Sequence, residues 1–390
     1  MAMSLIGPDN PLGHPAPYWF LVLFKTLGFT LHILPMHLWY AGLPAMLLLR
    51  RHGGEHGRRT ADRTLGAMPV AIAWGVNLGI VPLLFTQVAY YKVFYPATIL
   101  MAWPWLAIIG LLTVAYYGVY AYALGLRAGR LAPWRVAAGW SAALLLIAIG
   151  WLFANAFSLM ANVDGWRGIW NATGFAGAVL GTGLNTADPT LWPRWLMMLG
   201  LALTTTAAWV VFDAAVLGAG ETPAWRAWAS RFALRLHALG AAWFAVTGAW
   251  YVFGAMPETG RDALAAGGWR LVTALTAVAP GLVWLAILIV ARRAARAAAG
   301  AGPTPGRAAG ILTLGAQLVV LALNAVSRQV AQNGELAPHL DVAAGRVNTQ
   351  LGPLVLFVAL FVAGLGVVVW MLRQAAAAAA GRRRAGEEAR

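Results

Sequence analysis

The chain has 390 residues, of which 61% are hydrophobic and only 11% are charged. Soluble domains carry about 25% charged residues, so this composition excludes a soluble globular protein. The sequence contains no cysteine, which excludes structural disulfides, cysteine-ligated zinc, iron–sulfur clusters and covalent c-type haem on this chain.

Long apolar segments recur along the whole sequence. A membrane-spanning helix needs roughly 20 mostly apolar residues, and about nine segments reach that length. In chain order they are 18–49, 67–92, 97–125, 135–161, 191–217, 231–256, 269–291, 309–332 and 350–373. The sequence therefore predicts an all-α polytopic membrane protein that forms a single transmembrane helical bundle over residues 1–390.

The net charge of +15 is concentrated on one side of the predicted membrane. Most of the 28 lysines and arginines lie after the first, third, fifth and seventh predicted helices and in the C-terminal tail. The positive-inside rule then places the N-terminus outside and the C-terminus in the cytoplasm, as an odd number of helices also requires. We expect a bacterial inner-membrane location, contacts with anionic lipids, no nucleic-acid partner, and a flexible basic cytoplasmic tail over 374–390.

Ionisable side chains inside the predicted helices are the first candidates for function, because their burial in lipid is costly. The first helix carries Lys25, His32 and His37. Lys25 and His32 share one helical face, whereas His32 and His37 lie about 140° apart on a straight helix. This separation predicts that the two histidines point to different faces. Pro35 lies between them and removes a backbone donor, which favours a kink.

Neutral imidazole ligates haem iron when a hydrogen bond to its other nitrogen fixes the tautomer. His32 and His37 are therefore candidate haem ligands. His237 in the sixth helix is a third candidate, because its expected depth in the membrane is close to that of His37, and a pair of His37 and His237 would hold one haem between two helices. A neutral histidine bonded to a neighbouring helix is the alternative for each. Candidates for a quinone site or a proton path are Lys25, Gln87, Asp213 and Arg328. Snorkelling of Lys25 and capping of basic loops by Asp213 are the structural alternatives.

Five segments carry a resemblance to a known membrane protein. They are "LHILPMHLWYAG", "NLGIVPLLFTQVAYYKVFYPATILMAWPW", "WLFANAFSLMANVDGW", "DPTLWPRWLMMLGLAL" and "RVNTQLGPLVLFVALFVAGLG". In order and position they are similar to segments of subunit I of the cytochrome bd quinol oxidases, and the chain looks like a divergent, shortened relative. The resemblance implies a first-helix haem ligand at His32, or otherwise at His37. It also implies an Arg/Gln pair at Arg328 and Gln329.

The departures from that family lie at its cofactor positions. The third helix has no acidic residue where the family has acidic residues near its oxygen-reducing haem pair. A haem-ligating histidine early in helix five is replaced by Met197 and Met198, of which Met198 is the candidate ligand. The family's long quinol-binding loop is reduced to "MPETGRDALAAGGW", and the last helix lacks a ligand glutamate. We therefore expect that this chain does not reduce oxygen by itself.

These observations favour an integral membrane subunit of a respiratory electron-transfer complex, either non-catalytic or a quinone-oxidoreductase subunit. It would interact with quinone, bind at most one b-type haem, and dock a c-type cytochrome or iron–sulfur protein through the outer connections 162–190 and 329–349. A cofactor-free structural anchor is one alternative. The other is a proton-coupled transporter that uses Lys25, His32, His37, His237 and Asp213, although paired broken helices are not evident in the sequence.

Overall fold

The computed structural model describes the backbone of residues 5–388 and the side chains of 5–367, 370, 373 and 374. It is built almost wholly from α-helices, which confirms the predicted all-α class. The N-outside orientation remains a prediction. So do the single bundle over 1–390 and the flexible tail over 374–390, of which residues 389 and 390 lie outside the described part.

The first spanning segment consists of three helical pieces in one continuous run. Helix α1 (Tyr18–His37) passes through Pro35, and a π-helical turn (Leu38–Gly42) leads into α2 (Leu43–His52). Pro35 has no N–H to donate to the carbonyl of Leu31, and the widened turn absorbs this disruption without breaking the helix. The turn is buried along its whole length, so it is fixed by packing.

The remaining elements follow in order along the chain. They are α3 (Gly54–Ala89), α4 (Tyr91–Leu100), α5 (Ala102–Arg127), α6 (Pro133–Ala161), α7 (Trp166–Thr173), β1 (Gly174–Phe175), β2 (Ala178–Val179), α8 (Leu191–Phe212), α9 (Pro223–Ala249), α10 (Glu258–Ala265), α11 (Trp269–Ala298), α12 (Arg307–Leu336) and α13 (Leu351–Glu388). The two strands pair antiparallel, with Gly174 opposite Val179. Further π-helical turns extend α8 over Asp213–Leu217 and α9 over Trp250–Ala255.

Eight helical spans among the described residues are long and apolar enough to cross a membrane. They are Tyr18–His52, Gly54–Ala89, Ala102–Arg127, Pro133–Ala161, Leu191–Leu217, Pro223–Ala255, Trp269–Ala298 and Arg307–Leu336. Each matches one of the first eight predicted segments. The ninth prediction, 350–373, falls in α13, whose shorter apolar part among the described residues is Leu351–Val367.

Residues 22–342, with the described residues before Asp9, form one compact unit in which α8 occupies the centre. Helix α8 packs closely against α9 because Gly200 and Gly240 face each other. A Cβ atom at residue 200 would lie 2.9 Å from the carbonyl oxygen of Gly240. Small residues of this kind let helix backbones approach each other in a membrane. This close contact keeps α8 beside both α9 and α12, so its side chains line the interior of the bundle.

A second unit contains Asp9–Leu21 and the described residues from Ala343 to 388. Within it, the backbone at His14 pairs with the chain near Val347 as an isolated parallel bridge. The His14 N–H donates to the carbonyl of Arg346 at 2.8 Å, and the N–H of Asn348 donates to the carbonyl of His14 at 2.8 Å. These bonds tie the segment before α1 to the segment before α13.

Candidate functional site

A cavity of about 350 Å³ lies inside the first unit, among α1, α3, α8 and α12. We call it the large cavity. Apolar side chains of these helices and of α5 and α6 form most of its wall. Its basic side chains come from α1, α8 and α12, so charged groups of three helices meet in one space.

His32 lines the large cavity and is held by α3. Its Nδ1 lies 2.7 Å from the carbonyl oxygen of Gly75. Because a carbonyl only accepts, Nδ1 carries the hydrogen, and Nε2 of the neutral ring keeps its lone pair. One turn later, Gly79 leaves room for the ring, since a Cβ atom there would lie 2.8 Å from His32 Nδ1. Helix α3 therefore fixes both the position and the tautomer of His32.

His37 lines the same cavity and is held by α8. Its Nδ1 lies 2.9 Å from Thr205 Oγ1. Thr205 donates its own hydrogen to the carbonyl of Leu201 at 2.9 Å, so it accepts from His37. Gln317 supports this arrangement by donating to Thr205 at 3.1 Å and to Thr204 at 2.9 Å. His37, like His32, is thus fixed with hydrogen on Nδ1 and a lone pair on Nε2.

The two histidines face one cavity, so the expectation that they point to different faces is wrong. The α1 residues that line the cavity run from Lys25 to His37 with helical spacing. At 100° per residue they cover a face about 140° wide, with His32 and His37 at its two edges. The cavity wraps around this broad face of α1. The prediction used only the angle between His32 and His37 and did not consider the width of the cavity beside the helix.

Two other candidate ligands occupy different places. Met198 lines the large cavity, and so does Met197. His237 is completely buried in α9 beside Gln317 but does not line the cavity. Neither of its ring nitrogens has a hydrogen-bond partner among the described residues. His237 therefore lies beside Gln317 and outside the large cavity, and the structure does not bring the rings of His237 and His37 around one space.

Positive charge collects at one end of the large cavity. Lys25 donates to Gln329 Oε1 at 2.7 Å and to Gln332 Oε1 at 3.1 Å, and it lies 4.4 Å from the centre of the Tyr90 ring. The Arg328 guanidinium lies 4.6 Å from the centre of the Phe29 ring. Within the described part of the chain, neither cation forms an ion pair with a carboxylate. This end of the cavity therefore suits anionic groups of a ligand.

A third cation in the cavity wall is neutralised. Arg194 of α8 forms a buried ion pair with both carboxylate oxygens of Glu335 from α12. The Tyr251 hydroxyl donates to Glu335 at 3.0 Å, and the Arg194 guanidinium lies 5.0 Å from the centre of the Tyr251 ring. This cluster was not predicted from the sequence. Arg194 and Glu335 lie near the ends of two apolar helices, where charged residues are usually assigned to the membrane–water interface.

The other two predicted residues lie outside the large cavity. Gln87 follows Thr86, which lines the cavity, but Gln87 itself does not. Asp213 accepts from Arg63 Nε and Nη2, both at 2.7 Å, at the far end of α8. Arg63 also contacts Glu221 at 3.3 Å. Asp213 is thus part of an ion-pair cluster that joins α3 to α8, which favours the capping alternative over a proton path.

No protein-family model matches the sequence, and no curated protein matches it. Among solved structures, a chain of the bd oxidase from Geobacillus thermodenitrificans is similar, with a TM-score of 0.56. The match covers 93% of this chain and 99% of that chain at 14% sequence identity. At this identity the likeness shows the fold, and it confirms the resemblance seen in the sequence. The chain is therefore a multi-pass membrane protein with the fold of a cytochrome bd oxidase chain.

Proposed function

We propose that the chain is a membrane subunit of a respiratory electron-transfer complex and that its large cavity binds one b-type haem. One observation carries this proposal: two imidazoles, each with hydrogen fixed on Nδ1, line a single apolar cavity. Their Nε2 lone pairs are the groups that haem iron binds. The fold shared with an oxidase supports a respiratory role.

The residues of the cavity fit the parts of a haem. His32 is the first choice for the iron ligand, because a backbone carbonyl that cannot rotate away fixes its tautomer. His37 and Met198 line the same cavity and would be the candidates for a second iron ligand. Lys25 and Arg328 offer unpaired positive charge to the two haem carboxylates. When bound, a b-type haem supplies one-electron transfer.

The same cavity favours electron transfer without oxygen reduction. Within the described residues no aspartate or glutamate lines it, although the related family has acidic residues near its oxygen-reducing haem pair. Quinone would exchange electrons with this chain. An outer-face c-type cytochrome or iron–sulfur partner would dock on the connection that contains α7 and the β1–β2 hairpin.

Anaerobic addition of a short-chain quinol to the purified chain tests this function. We expect the absorption bands of a reduced b-type haem to appear, with no oxygen consumption when air is readmitted. A chain that binds haem but is not reduced by quinol would exclude the quinone role. Rapid oxygen consumption would show that the chain is itself an oxidase. Failure to bind haem would favour the cofactor-free anchor.

Substitution of Gly79 by alanine probes the position of His32 without removing it. The new methyl group would lie 2.8 Å from two atoms of the imidazole, so the ring must move. Disturbed support of a metal ligand typically costs 10–100-fold in affinity, and we expect haem binding to weaken by about that factor. Haem titration of the apoprotein measures the change.

Gly66→Ala is the matched control on the same helix, because a Cβ atom there has no described neighbour within 4 Å. It should bind haem like the wild-type chain. Equal affinities for the Gly79→Ala and Gly66→Ala chains would contradict the placement of the ligand at His32.

A further inference from the structure

A second cavity, of about 270 Å³, lies at the end of the bundle where α6 and α12 finish. We call it the acidic recess. Its wall includes four carboxylates, from Asp164, Asp188, Glu258 and Glu335, and one imidazole, from His339. The Asp164 side chain is 88% exposed, so the recess reaches the surface of the protein.

The acidic recess and the large cavity share a wall that consists of one ion-paired cluster. Glu335 lines the recess, whereas Arg194 and Tyr251 line the large cavity. These three side chains are joined by the Arg194–Glu335 ion pair and by the hydrogen bond from Tyr251 to Glu335. Only 4% of the Glu335 side chain and 17% of the Arg194 side chain are exposed. At this place a closed and buried ion pair therefore lies between the two cavities.

The surroundings of Arg194 offer it a second partner. Asp188, a recess carboxylate, lies close enough to interact with the Arg194 charge. Asp188 is held in place because it accepts from Asn185 Nδ2 at 2.7 Å and from the backbone N–H of Thr190 at 2.8 Å. The Nε of Arg194 is buried and has no described hydrogen-bond partner. The recess side of Arg194 thus carries a second fixed carboxylate beside that of Glu335.

We propose that a pathway for water and protons joins the large cavity to the acidic recess, and that the Arg194–Glu335 ion pair closes it. When the pair opens, the Glu335 carboxylate accepts a proton from a hydronium ion on the cavity side, which leaves water, and releases it to a water molecule in the recess, which becomes hydronium. The step moves a proton and no electron. The pathway gives the bundle interior an exchange route with the face that carries α7 and α10, and it requires no haem.

Thiol labelling of the reconstituted chain tests this pathway, because the natural sequence contains no cysteine. Ala325→Cys places a single thiol in the wall of the large cavity. A charged, membrane-impermeant methanethiosulfonate reagent should reach it slowly. In an added Glu335→Ala background we expect labelling at least about tenfold faster, the change that loss of a closing interaction of about 1.4 kcal/mol produces.

Three further variants make the result specific. Thr259→Cys reports the recess and should label rapidly with or without Glu335. Glu258→Ala removes a recess carboxylate that has no described contact with Arg194, and it should leave Ala325→Cys protected. Exchange of the charges, Arg194→Glu with Glu335→Arg, should restore protection. Size-exclusion profiles that match the parent chain confirm that each variant is folded.

Three outcomes would overturn the pathway. The first is rapid labelling of Ala325→Cys in the otherwise unchanged chain, since the pair would then close nothing. The second is slow labelling in both the Glu335→Ala and the Arg194→Ala backgrounds while Thr259→Cys remains reactive. The third is equal acceleration by Glu258→Ala. Because the readout is independent of haem, these outcomes do not depend on the proposed electron-transfer role.

Discussion

A His32→Ala chain is expected to be purified without the b-type haem absorption bands that we predict for the wild-type chain. The substitution removes Nε2, the proposed iron ligand. Its lone pair is available because Nδ1 carries the ring hydrogen and donates it to the Gly75 carbonyl at 2.7 Å. The substitution also leaves a ring-sized space in the cavity wall. Imidazole added to the His32→Ala chain should occupy that space and restore the bands in a reduced-minus-oxidised spectrum.

His237→Ala is the matched comparison, because His237 is fully buried but does not line the large cavity. We expect this chain to keep its haem. His37→Ala distinguishes the two candidates for a second iron ligand. A retained haem with shifted bands would indicate His37, and an unchanged spectrum would favour Met198. Loss of haem in His237→Ala alone would contradict the placement of the cofactor in this cavity.

Removal of the Asp213 carboxylate is expected to lower the stability of the folded chain strongly. Arg63 gives Asp213 two hydrogen bonds of 2.7 Å, and only 6% of the Asp213 side chain is exposed. Breaking a buried ion pair from one side costs about 3–5 kcal/mol. Because 27% of the Arg63 side chain is exposed and Glu221 lies nearby, we expect Asp213→Ala to cost about 2–4 kcal/mol. Thermal unfolding in detergent measures this loss.

Asp62→Ala is the control for this prediction. Asp62 accepts from Arg50 at 2.5 Å, but about a third of each side chain is exposed. An ion pair of this kind contributes up to about 1 kcal/mol, so the unfolding temperature should fall much less. Equal stability of Asp213→Ala and the wild-type chain would contradict the structural role of Asp213 and return it to the candidates for a proton path.

Hydropathy alone predicted most of the helices, because each spanning segment must satisfy its backbone hydrogen bonds within itself. Leu191–Leu217 matches its prediction at both ends. The start of α3 does not, since the helix begins at Gly54 and not near residue 67. Its first turns carry charged residues such as Arg59 and Arg63, which hydropathy excludes but which form ion pairs at the end of the bundle.

The part of the site that lies on one helix was predicted from the sequence. The part formed by residues of several helices was not. Spacing along α1 placed Lys25 and His32 on one face, and both line the large cavity. Spacing within one helix says nothing about the width of the space beside it, which is why His37 was assigned to another face. The contacts of Glu335 with Arg194 and Tyr251 join residues from three distant parts of the chain, so only the packed bundle reveals them.

The haem content of the purified wild-type chain is the most direct test of the central claim, that the large cavity holds a b-type haem. A pyridine haemochrome assay on chain expressed with adequate haem supply measures it. We predict one haem b per chain, lost in His32→Ala and kept in His237→Ala. A well-folded wild-type chain that contains no haem, and takes up none when haem is added, would contradict it.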